Sequence, residues 1–200
     1  PPYMVRENIG VMAGILPRFH TEYYRVKGGM ILIPTAETPM VGLHSNEIFK
    51  EKDLPKKYVA FSPCFRREAG SYGNRDRGLR RVHQFHKIEL FIICKPEDSE
   101  KHHLEMIDQV KSLLDSFGVI HRSVELSKED RSPVSNKTID IEIKYGDEWL
   151  EVSSISNTGD NQSKMALIRY KDKTTGKNIR VHMLNGSGVA LPRLLMVMNQ

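Results

Sequence analysis

Short segments in which apolar residues alternate with polar ones, or follow one another without a break, occur along most of the chain and predict β-strands. Two of them, KYVAFSPCFRRE (57–68) and RRVHQFHKIELFIIC (80–94), are rich in aromatic and β-branched residues. The connection between them contains several glycines, so the pattern predicts two antiparallel strands joined by a long loop. Further strands are predicted at GGMILIP (28–34), TIDIEIKY (138–145), EWLEVSSIS (148–156), MALIRYKD (165–172) and IRVHMLNG (179–186).

Three other segments have the features of helices. Thr38 and Pro39 suit the N-cap and first residue of a short helix that carries Met40, Leu43 and Ile48. VALPRLLMVM, near the end of the chain, predicts a helix with Pro192 tolerated in its first turn. A longer helix is predicted from Glu97 to Phe117, with Gly118 placed to end it. Its apolar positions are Leu104, Ile107, Val110, Leu113, Leu114 and Phe117.

Strands outnumber helices and follow one another along the chain. That order is more typical of an antiparallel sheet than of alternating βαβ units. The sequence therefore predicts an α+β fold, an antiparallel β-sheet flanked by helices. The 200 residues are 39% hydrophobic, which suffices for one substantial core, and no repeat or linker-like stretch interrupts them. A single domain spanning residues 1–200 is expected.

Charge and cysteine content narrow the classes of function. The formal net charge of +5 favours contact with an anion such as nucleic acid, nucleotide phosphates or an anionic membrane surface. Cys64 and Cys94 are the only cysteines, so a disulfide framework or a cysteine zinc site has no support, and a reducing, intracellular compartment fits best. The sequence has no long apolar run and no leader pattern, so no membrane partner is expected. It begins PPYMVREN and ends LLMVMNQ, and we expect a fragment of a longer protein.

Arginines are concentrated between Arg66 and Arg81, within and beside the two long predicted strands. Side chains two apart on a strand share a face, so Arg66 lies with Glu68, and Arg81 with Phe85 and Glu89. Guanidiniums pair with phosphate oxygens, an aromatic plane stacks on a base, and a carboxylate accepts an exocyclic amine. If the two faces meet, this combination suits a nucleotide.

The arginines of the connecting loop have an equally good second interpretation. Arg75, Arg77 and Arg80 lie among Gly70, Gly73 and Gly78, where a solvated surface loop explains them as well as a ligand does. Arg66 differs, because burial among apolar neighbours without an anionic partner would be costly.

Commoner catalytic and ligand-binding patterns are missing. The chain has no GxxxxGK[ST] loop and no GxGxxG between a strand and a helix. His102, His103 and the histidines of HQFH lack metal-ligand spacing, and we interpret them as structural or surface groups. Ser71, Ser153 and Ser154 sit in no nucleophile-elbow pattern.

Four separate sequence motifs resemble those of one known family. They are TAE (35–37), FRREAGSYGNRDRGLRRVHQFHKIE (65–89), EVSSISN (151–157) and LNGSGVALPR (184–193). Together they resemble the catalytic core of seryl-tRNA synthetase, a class II aminoacyl-tRNA synthetase. They follow one another in the same order as the motifs of that family. The second word is similar to class motif 2 in its seryl form, and the last is similar to motif 3.

The resemblance implies an ATP-dependent ligase that activates serine to seryl-adenylate and transfers the seryl group to tRNA(Ser). It implies that Arg66 binds the α-phosphate and also contacts serine, and that Arg81 meets the outer phosphates. Glu68 would bind the adenine amino group, and Phe85 would stack on the adenine. Arg193 would lie on the other face of the base or at the γ-phosphate.

The resemblance also implies a magnesium ion and a serine pocket. Glu151 and Ser154 would ligate Mg²⁺, although they would not share a face of a regular strand and so require a bulge or a strand end. Thr35 and Glu37 would hold the ammonium group of serine. The side-chain pocket would be lined by Glu89, Asn185 and Ser187. From the residues alone, a surface carboxylate at Glu151 and a turn residue at Asn185, before Gly186, are the favoured interpretations.

Some expectations concern what surrounds this core. The N-terminal tRNA-binding helical arm and the motif 1 helix of the family have no counterpart in the sequence, and the full-length protein is expected to be a homodimer in the cytoplasm or an organellar matrix. GVMAGILPRF (10–19) departs from the family pattern, as do Lys164 and Met165, which stand where paired arginines are common. We expect these departures to affect tRNA handling or packing more than adenylation.

Rival functions of other classes remain open at this point. One is a paralogue of the synthetase that has lost aminoacylation activity and binds RNA or protein. Loss of Arg66, Glu68 or Arg193 would support this alternative, and the chain has all three. An enzyme that loads a carrier protein instead of tRNA would explain a missing arm. A general RNA-binding module would present aromatics on an exposed sheet without the carboxylates.

Overall fold

A six-stranded antiparallel sheet forms the centre of the structure, a computed structural model that describes residues 1–17, 20–69 and 78–199. The strands are β1 (Met4–Arg6), β2 (Arg25–Val26), β3 (Met30–Leu32), β4 (Ile48–Lys50), β5 (Lys56–Phe65), β6 (Gln84–Cys94), β7 (His121–Glu125), β8 (Lys137–Tyr145), β9 (Glu148–Gly159), β10 (Arg169–Lys171), β11 (Asn178–Arg180) and β12 (His182–Ala190). The helices are α1 (Glu7–Met12), α2 (Glu37–Leu43), α3 (Ser99–Ser116), α4 (Asn161–Ala166) and α5 (Leu191–Met198).

The central sheet has the strand order β5-β6-β12-β9-β8-β7, and every neighbouring pair is antiparallel. Two three-stranded sheets, β1-β3-β2 and β11-β10-β4, lie beside it. In the second of these, β10 runs parallel to β4. The predicted α+β fold, an antiparallel sheet flanked by helices, is confirmed.

Both faces of the middle strands β6 and β12 are covered, and neighbouring residues of each strand point to opposite faces. Ile92 and Leu184 pack with α3 and α5 in one core, while Ile93 and Met183 pack in a second core with residues of α2 and the small sheet β11-β10-β4. The strands β6 and β12 therefore carry apolar residues on both sides, and the site residues on them are held between two packed layers.

Helix α3 matches its prediction in position but not in every buried residue. Val110 and Leu114 are buried against the sheet, and Gly118 ends the helix with a φ of 67°. Leu104 and Phe117 are exposed, which corrects their assignment to the apolar face. His102 and His103 are buried on this helix instead. The Nε2 atom of His103 lies 2.9 Å from the carbonyl oxygen of Ile155. These two histidines are structural.

Four features of these elements differ from the predictions. Helix α2 begins at Glu37, and its N-cap is Ala36 rather than Thr38, with no cap hydrogen bond from a side chain. Ile48 belongs to β4 and not to this helix. The segment MALIRYKD enters α4 before the left-handed Leu167 ends that helix, so its strand is only β10. IRVHMLNG is divided between β11 and β12, which belong to different sheets.

Candidate active site

A cleft of about 490 Å³, counting its open mouth, lies where β5, β6, β9, β12 and α5 approach one another. Lys87 lines it together with seven of the residues singled out from the sequence. Those seven are Arg66, Glu68, Arg81, Phe85, Glu151, Ser187 and Arg193. The structure thus brings together residues that lie up to 127 positions apart in the chain, since the cleft runs from position 66 to position 193.

Arg66 and Phe85 form one wall of the cleft. Arg66 follows the last residue of β5, and its backbone N–H donates to the carbonyl of His83 at 2.9 Å. Its Nε donates to the Pro34 carbonyl at 3.4 Å, and its guanidinium carbon lies 5.2 Å from the centre of the Phe85 ring. The guanidinium is thereby held against an aromatic face, at the wall of the cleft.

Glu68 and Arg81 converge in the cleft, although neither lies on a strand. β5 ends at Phe65 and β6 begins at Gln84, so the prediction that these residues lie on regular strands was wrong. Glu68 adopts a left-handed conformation with a φ of 51°, and its Oε2 accepts from Nη1 of Arg81 at 2.5 Å. Glu68 follows β5 and Arg81 precedes β6, and because these strands are antiparallel neighbours their adjoining ends lie side by side.

Arg193 is fixed near the opposite side of the cleft by Glu151. Its Nη1 donates to the backbone carbonyl of Glu151 at 2.5 Å and lies 3.7 Å from that residue's carboxylate. Arg80 lines the cleft too, where its Nη1 contacts Glu148 at 2.6 Å. The cleft therefore contains several cationic groups whose positions are set by carboxylates at its rim.

A β-bulge places Glu151 and Ser154 on the same face of β9. Asp140 pairs with Ser154 and Glu142 pairs with Glu151, so β9 has one more residue than β8 across this interval. Because Asp140 and Glu142 are two apart on a regular strand, their partners share a face. The structure therefore has the bulge that Glu151 and Ser154 would need in order to bind one metal ion together.

Asp140 lies directly beside this pair. Burial raises the pKa of its carboxyl to about 6, against a hydrogen bond from Ser154 that lowers it. Its Oδ1 atom is buried and has no hydrogen-bond partner among the described residues. The oxygen donors here are of the kind that Mg²⁺ prefers, and Mg²⁺ commonly takes only one or two protein carboxylates, completing its shell with water and phosphate. Within residues 1–17, 20–69 and 78–199, no group of three or more His, Cys, Asp or Glu side chains could hold a metal by itself.

A buried polar network adjoins the cleft. Lys87, which lines the cleft, contacts Glu89 with its Nζ 2.5 Å from Oε2, and both side chains are buried. The Thr35 hydroxyl donates to the same Oε2 atom at 3.0 Å. Ser187 lies opposite Glu89 in the register between β12 and β6. Thr35 and Glu89, both predicted to bind serine, are therefore hydrogen-bonded to each other, and Ser187 lies beside Glu89 on the neighbouring strand.

Asn185 lies two residues before Ser187 on the same face of β12. Its Oδ1 atom is buried and unpartnered within the described part of the chain. Asn185 is paired with Phe91 and Ser156 inside the sheet, so the alternative that it makes a turn is wrong. A buried amide oxygen without a partner is costly and suits a position that contacts a ligand.

Glu37 opens helix α2 and brings a second carboxylate close to Glu89. Its burial, and the neighbouring charge of Glu89, raise its pKa to about 7. Its Oε1 accepts from Nε2 of Gln162 at 2.5 Å, across 125 positions of sequence. Gln162 was missed from the sequence, because a single glutamine in the polar segment NTGDNQSK matches no motif and its partner is distant in the chain.

Residues 70–77, which include Gly70, Ser71, Gly73, Arg75 and Arg77, lie outside the described part of the chain, as does Phe19. The two interpretations of Arg75 and Arg77 therefore both stand.

Comparison with known families is decisive for the class of protein. A family model described as the tRNA synthetase class II core domain (G, H, P, S and T) matches residues 19–200. The chain belongs to this family. The resemblance to class II synthetases drawn from the four sequence words is confirmed.

Curated relatives within the family are serine--tRNA ligases. The chain is 47% identical over 199 residues to the enzyme of Chlamydia abortus, covering 97% of this chain and 47% of that one. It is 46% identical over 198 residues to the enzyme of Methylacidiphilum infernorum, with coverages of 98% and 47%. The chain thus spans about half the length of the curated relatives it matches.

Solved structures agree with this placement. A seryl-tRNA synthetase from Pyrococcus horikoshii complexed with ATP is similar with a TM-score of 0.94 and 39% identity, covering 98% of this chain and 45% of that one. A cytoplasmic serine-tRNA ligase from Naegleria fowleri in complex with AMP has a TM-score of 0.89 and 32% identity, with coverages of 98% and 47%. A prolyl-tRNA synthetase from Giardia lamblia, at 20% identity and a TM-score of 0.86, covers 99% of this chain and 41% of its own, and shares the fold.

Proposed function

We propose that the chain is the catalytic core of a serine--tRNA ligase, which activates serine with ATP and transfers it to tRNA(Ser). The observation that carries the proposal is the continuity of two chemically different sites. Arg66 stacked on Phe85 suits a nucleotide phosphate and base, and Lys87 connects that cleft to the carboxylates of Glu89 and Glu37. The names of the curated relatives and the ATP and AMP complexes of similar structures support it.

The nucleotide occupies the cationic cleft. Arg66 binds the α-phosphate, and Phe85 stacks on the adenine. Arg81 meets the outer phosphates, and Glu68 receives the adenine amino group. Arg193 completes the cleft at the other face of the base or at the γ-phosphate. Glu68 and Arg81 contact each other in the structure, so each orients the other before the nucleotide binds.

Serine occupies the acidic end of the site. Its ammonium group lies between the Thr35 hydroxyl and the carboxylate of Glu37, while its hydroxyl group reaches Glu89, Asn185 and Ser187. Alanine would leave the buried polar atoms of this pocket unpaired, which penalises it more than the loss of a methylene would. The pocket therefore selects for a hydroxyl-bearing side chain, and it must exclude threonine by shape.

The first reaction is an in-line displacement at phosphorus. A carboxylate oxygen of serine forms a bond to the α-phosphorus, the bond to the bridging oxygen of the β-phosphate breaks, and pyrophosphate leaves with that electron pair. The substrate carboxylate is already a nucleophile, so positioning and charge stabilisation by Arg66, Arg81 and Arg193 supply the catalysis. In the second reaction a ribose hydroxyl of the terminal adenosine of tRNA(Ser) forms an ester bond to the seryl carbonyl carbon, the bond to the phosphate oxygen breaks, and AMP leaves.

A magnesium ion fits beside the phosphates. Glu151 and Ser154 would hold it, since the bulge in β9 turns both toward one face and the unpartnered Oδ1 of Asp140 lies next to Ser154. Bound there, the ion would neutralise charge on the phosphate oxygens.

The remaining proposals concern the whole protein. Residues 1–200 are one catalytic domain, and the full-length protein is a homodimer whose tRNA-binding helical arm lies outside this sequence. Cys64 and Cys94 are free and buried, which suits the reducing cytoplasm or an organellar matrix. Among the described helices, none is long and apolar enough to cross a membrane.

Removal of the Arg66 guanidinium tests this function. Arg66→Ala is expected to reduce serine-dependent exchange of labelled pyrophosphate into ATP by about 100-fold or more, as for loss of one charge-stabilising donor. Arg180→Ala is the matched control, because Arg180 is exposed on β11 and makes a surface contact with Asp160. Urea unfolding of both variants checks the fold. An Arg66→Ala protein with undiminished exchange would contradict the assigned role.

A further inference from the structure

Gln162 is a fully buried glutamine on α4 that contacts the site indirectly. Its Nε2 donates to the backbone carbonyl of Ala13 at 3.1 Å and to Oε1 of Glu37 at 2.5 Å. The carbonyl of Ala13 can only accept a hydrogen bond, so the atom facing it must be the amide nitrogen. That contact fixes the orientation of the amide, and the second N–H necessarily points at Glu37.

The opposite end of the same amide faces β9. Its Oε1 lies 3.2 Å from the hydroxyl of Thr158, whose one proton also faces the Met183 carbonyl at the shorter distance of 2.7 Å. Gln162 therefore connects Ala13, the residue that follows α1, to Glu37 in the first turn of α2. The contact engages one oxygen of Glu37 and leaves the other for a different donor.

The electrostatic setting of Glu37 makes this contact consequential. The charged and titratable groups that face it are Glu89 and Lys87 from β6, Arg66 and Tyr23. Burial and Glu89 disfavour the ionised carboxyl, whereas Gln162, Lys87 and Arg66 favour it, with Gln162 the largest of these three. An ammonium ligand needs that ionised form.

We propose that Gln162 is a positioning residue for the amino acid substrate, holding the carboxylate of Glu37 in place to receive the substrate's ammonium group. This inference rests on the proposed function, since serine is the ammonium-bearing substrate. Gln162 contacts no substrate itself and acts only through Glu37. It belongs to the amino acid half of the site, so its loss should weaken serine binding and leave ATP binding intact.

Gln162→Met tests the inference, because methionine has a similar length and fills the space without an N–H donor. At pH 7 the KM for serine in pyrophosphate exchange is expected to rise about tenfold, as for loss of a hydrogen bond to a charged group. The KM for ATP should stay within about twofold. The serine defect should shrink as the pH rises above 7, because Glu37 then ionises without help. A general loss of stability would not produce this split.

A direct readout does not depend on activity. The side-chain carboxyl of Glu37 is titrated by carbon NMR, with the signal assigned through Glu37→Gln. Its midpoint should lie near pH 7 in the unaltered chain and higher in Gln162→Met. Ser163→Ala is the matched control, since Ser163 is equally buried on α4 but donates to the Val181 carbonyl. It should change neither the midpoint nor the serine KM.

The outcomes separate this inference from the proposed function. An unchanged Glu37 midpoint together with an unchanged serine KM in Gln162→Met would overturn the role of Gln162. If Gln162→Met does not fold, Gln162→Asn keeps the amide but cannot span Ala13 and Glu37, and a smaller shift in the same direction is expected. An unaltered chain that shows no serine-dependent exchange would contradict the function, while the titration would still decide whether Gln162 controls Glu37.

Discussion

At the scale of single residues, the site combines groups that a sequence can reveal with groups that it cannot. Arg66, Phe85 and Arg193 belong to recognisable words, and the structure brings them to one cleft. Gln162 lies in no recognisable motif, and its proposed role in positioning Glu37 depends on a contact between segments 125 positions apart. Contacts of that kind are set by packing, which local pattern does not encode.

Glu37 is predicted to reduce stability in return for substrate recognition. Its pKa is raised from 4.5 to about 7 in the folded chain, so folding favours its protonated form. The associated stabilisation is fully present below about pH 4.5 and is lost as the pH rises through about 7. Glu37→Gln removes this dependence while keeping an acceptor for Gln162.

The Glu37→Gln protein should therefore be more stable than the unaltered chain at pH 8, by on the order of 1–3 kcal/mol, and similar to it near pH 4.5. Urea unfolding at the two pH values measures the difference. Serine-dependent exchange should be lost. Equal free energies of unfolding at pH 8 would show that burial does not disfavour the ionised carboxyl group of Glu37.

At the scale of secondary structure, the pattern of the chain predicts the strands better than their ends. The antiparallel pair β5 and β6 was predicted correctly, yet Arg66, Glu68 and Arg81 lie beyond the strand ends. Strand periodicity places residues on a face only while the strand is regular. The bulge in β9 is also hard to predict. It depends on the register between β9 and β8, and the sequence of one strand does not contain that information.

Helix α3 allows a matched test of which apolar residues form the core. Leu114 is fully buried and packs with Ile141 and Val110, whereas Leu104 is 51% exposed on the same helix. Leu114→Ala is expected to cost about 2–5 kcal/mol of unfolding free energy, and Leu104→Ala within about 0.5 kcal/mol. Chemical denaturation of the two variants measures this. Similar losses for both would mean that the helix packs differently from the structure described.

At the scale of the whole molecule, the order of the strands creates the site. β12 lies between β6 and β9, so Ser187 lies opposite Glu89 while Glu151 and Arg193 approach from the other side. The sequence predicts an antiparallel sheet, but several strand orders share that pattern. The net charge of +5 likewise predicts an anionic partner, while the arrangement of Arg66, Phe85 and the carboxylates is what supports the proposal of ATP and serine.

The measurement that tests the central claim most directly is amino acid-dependent exchange of labelled pyrophosphate into ATP, with no tRNA added. Serine, alanine and threonine are compared in the same preparation, with ATP binding measured in parallel. Exchange with serine, and little with alanine or threonine, is the predicted result. A folded chain that binds ATP but shows no exchange with serine would contradict the assignment of an adenylating seryl site.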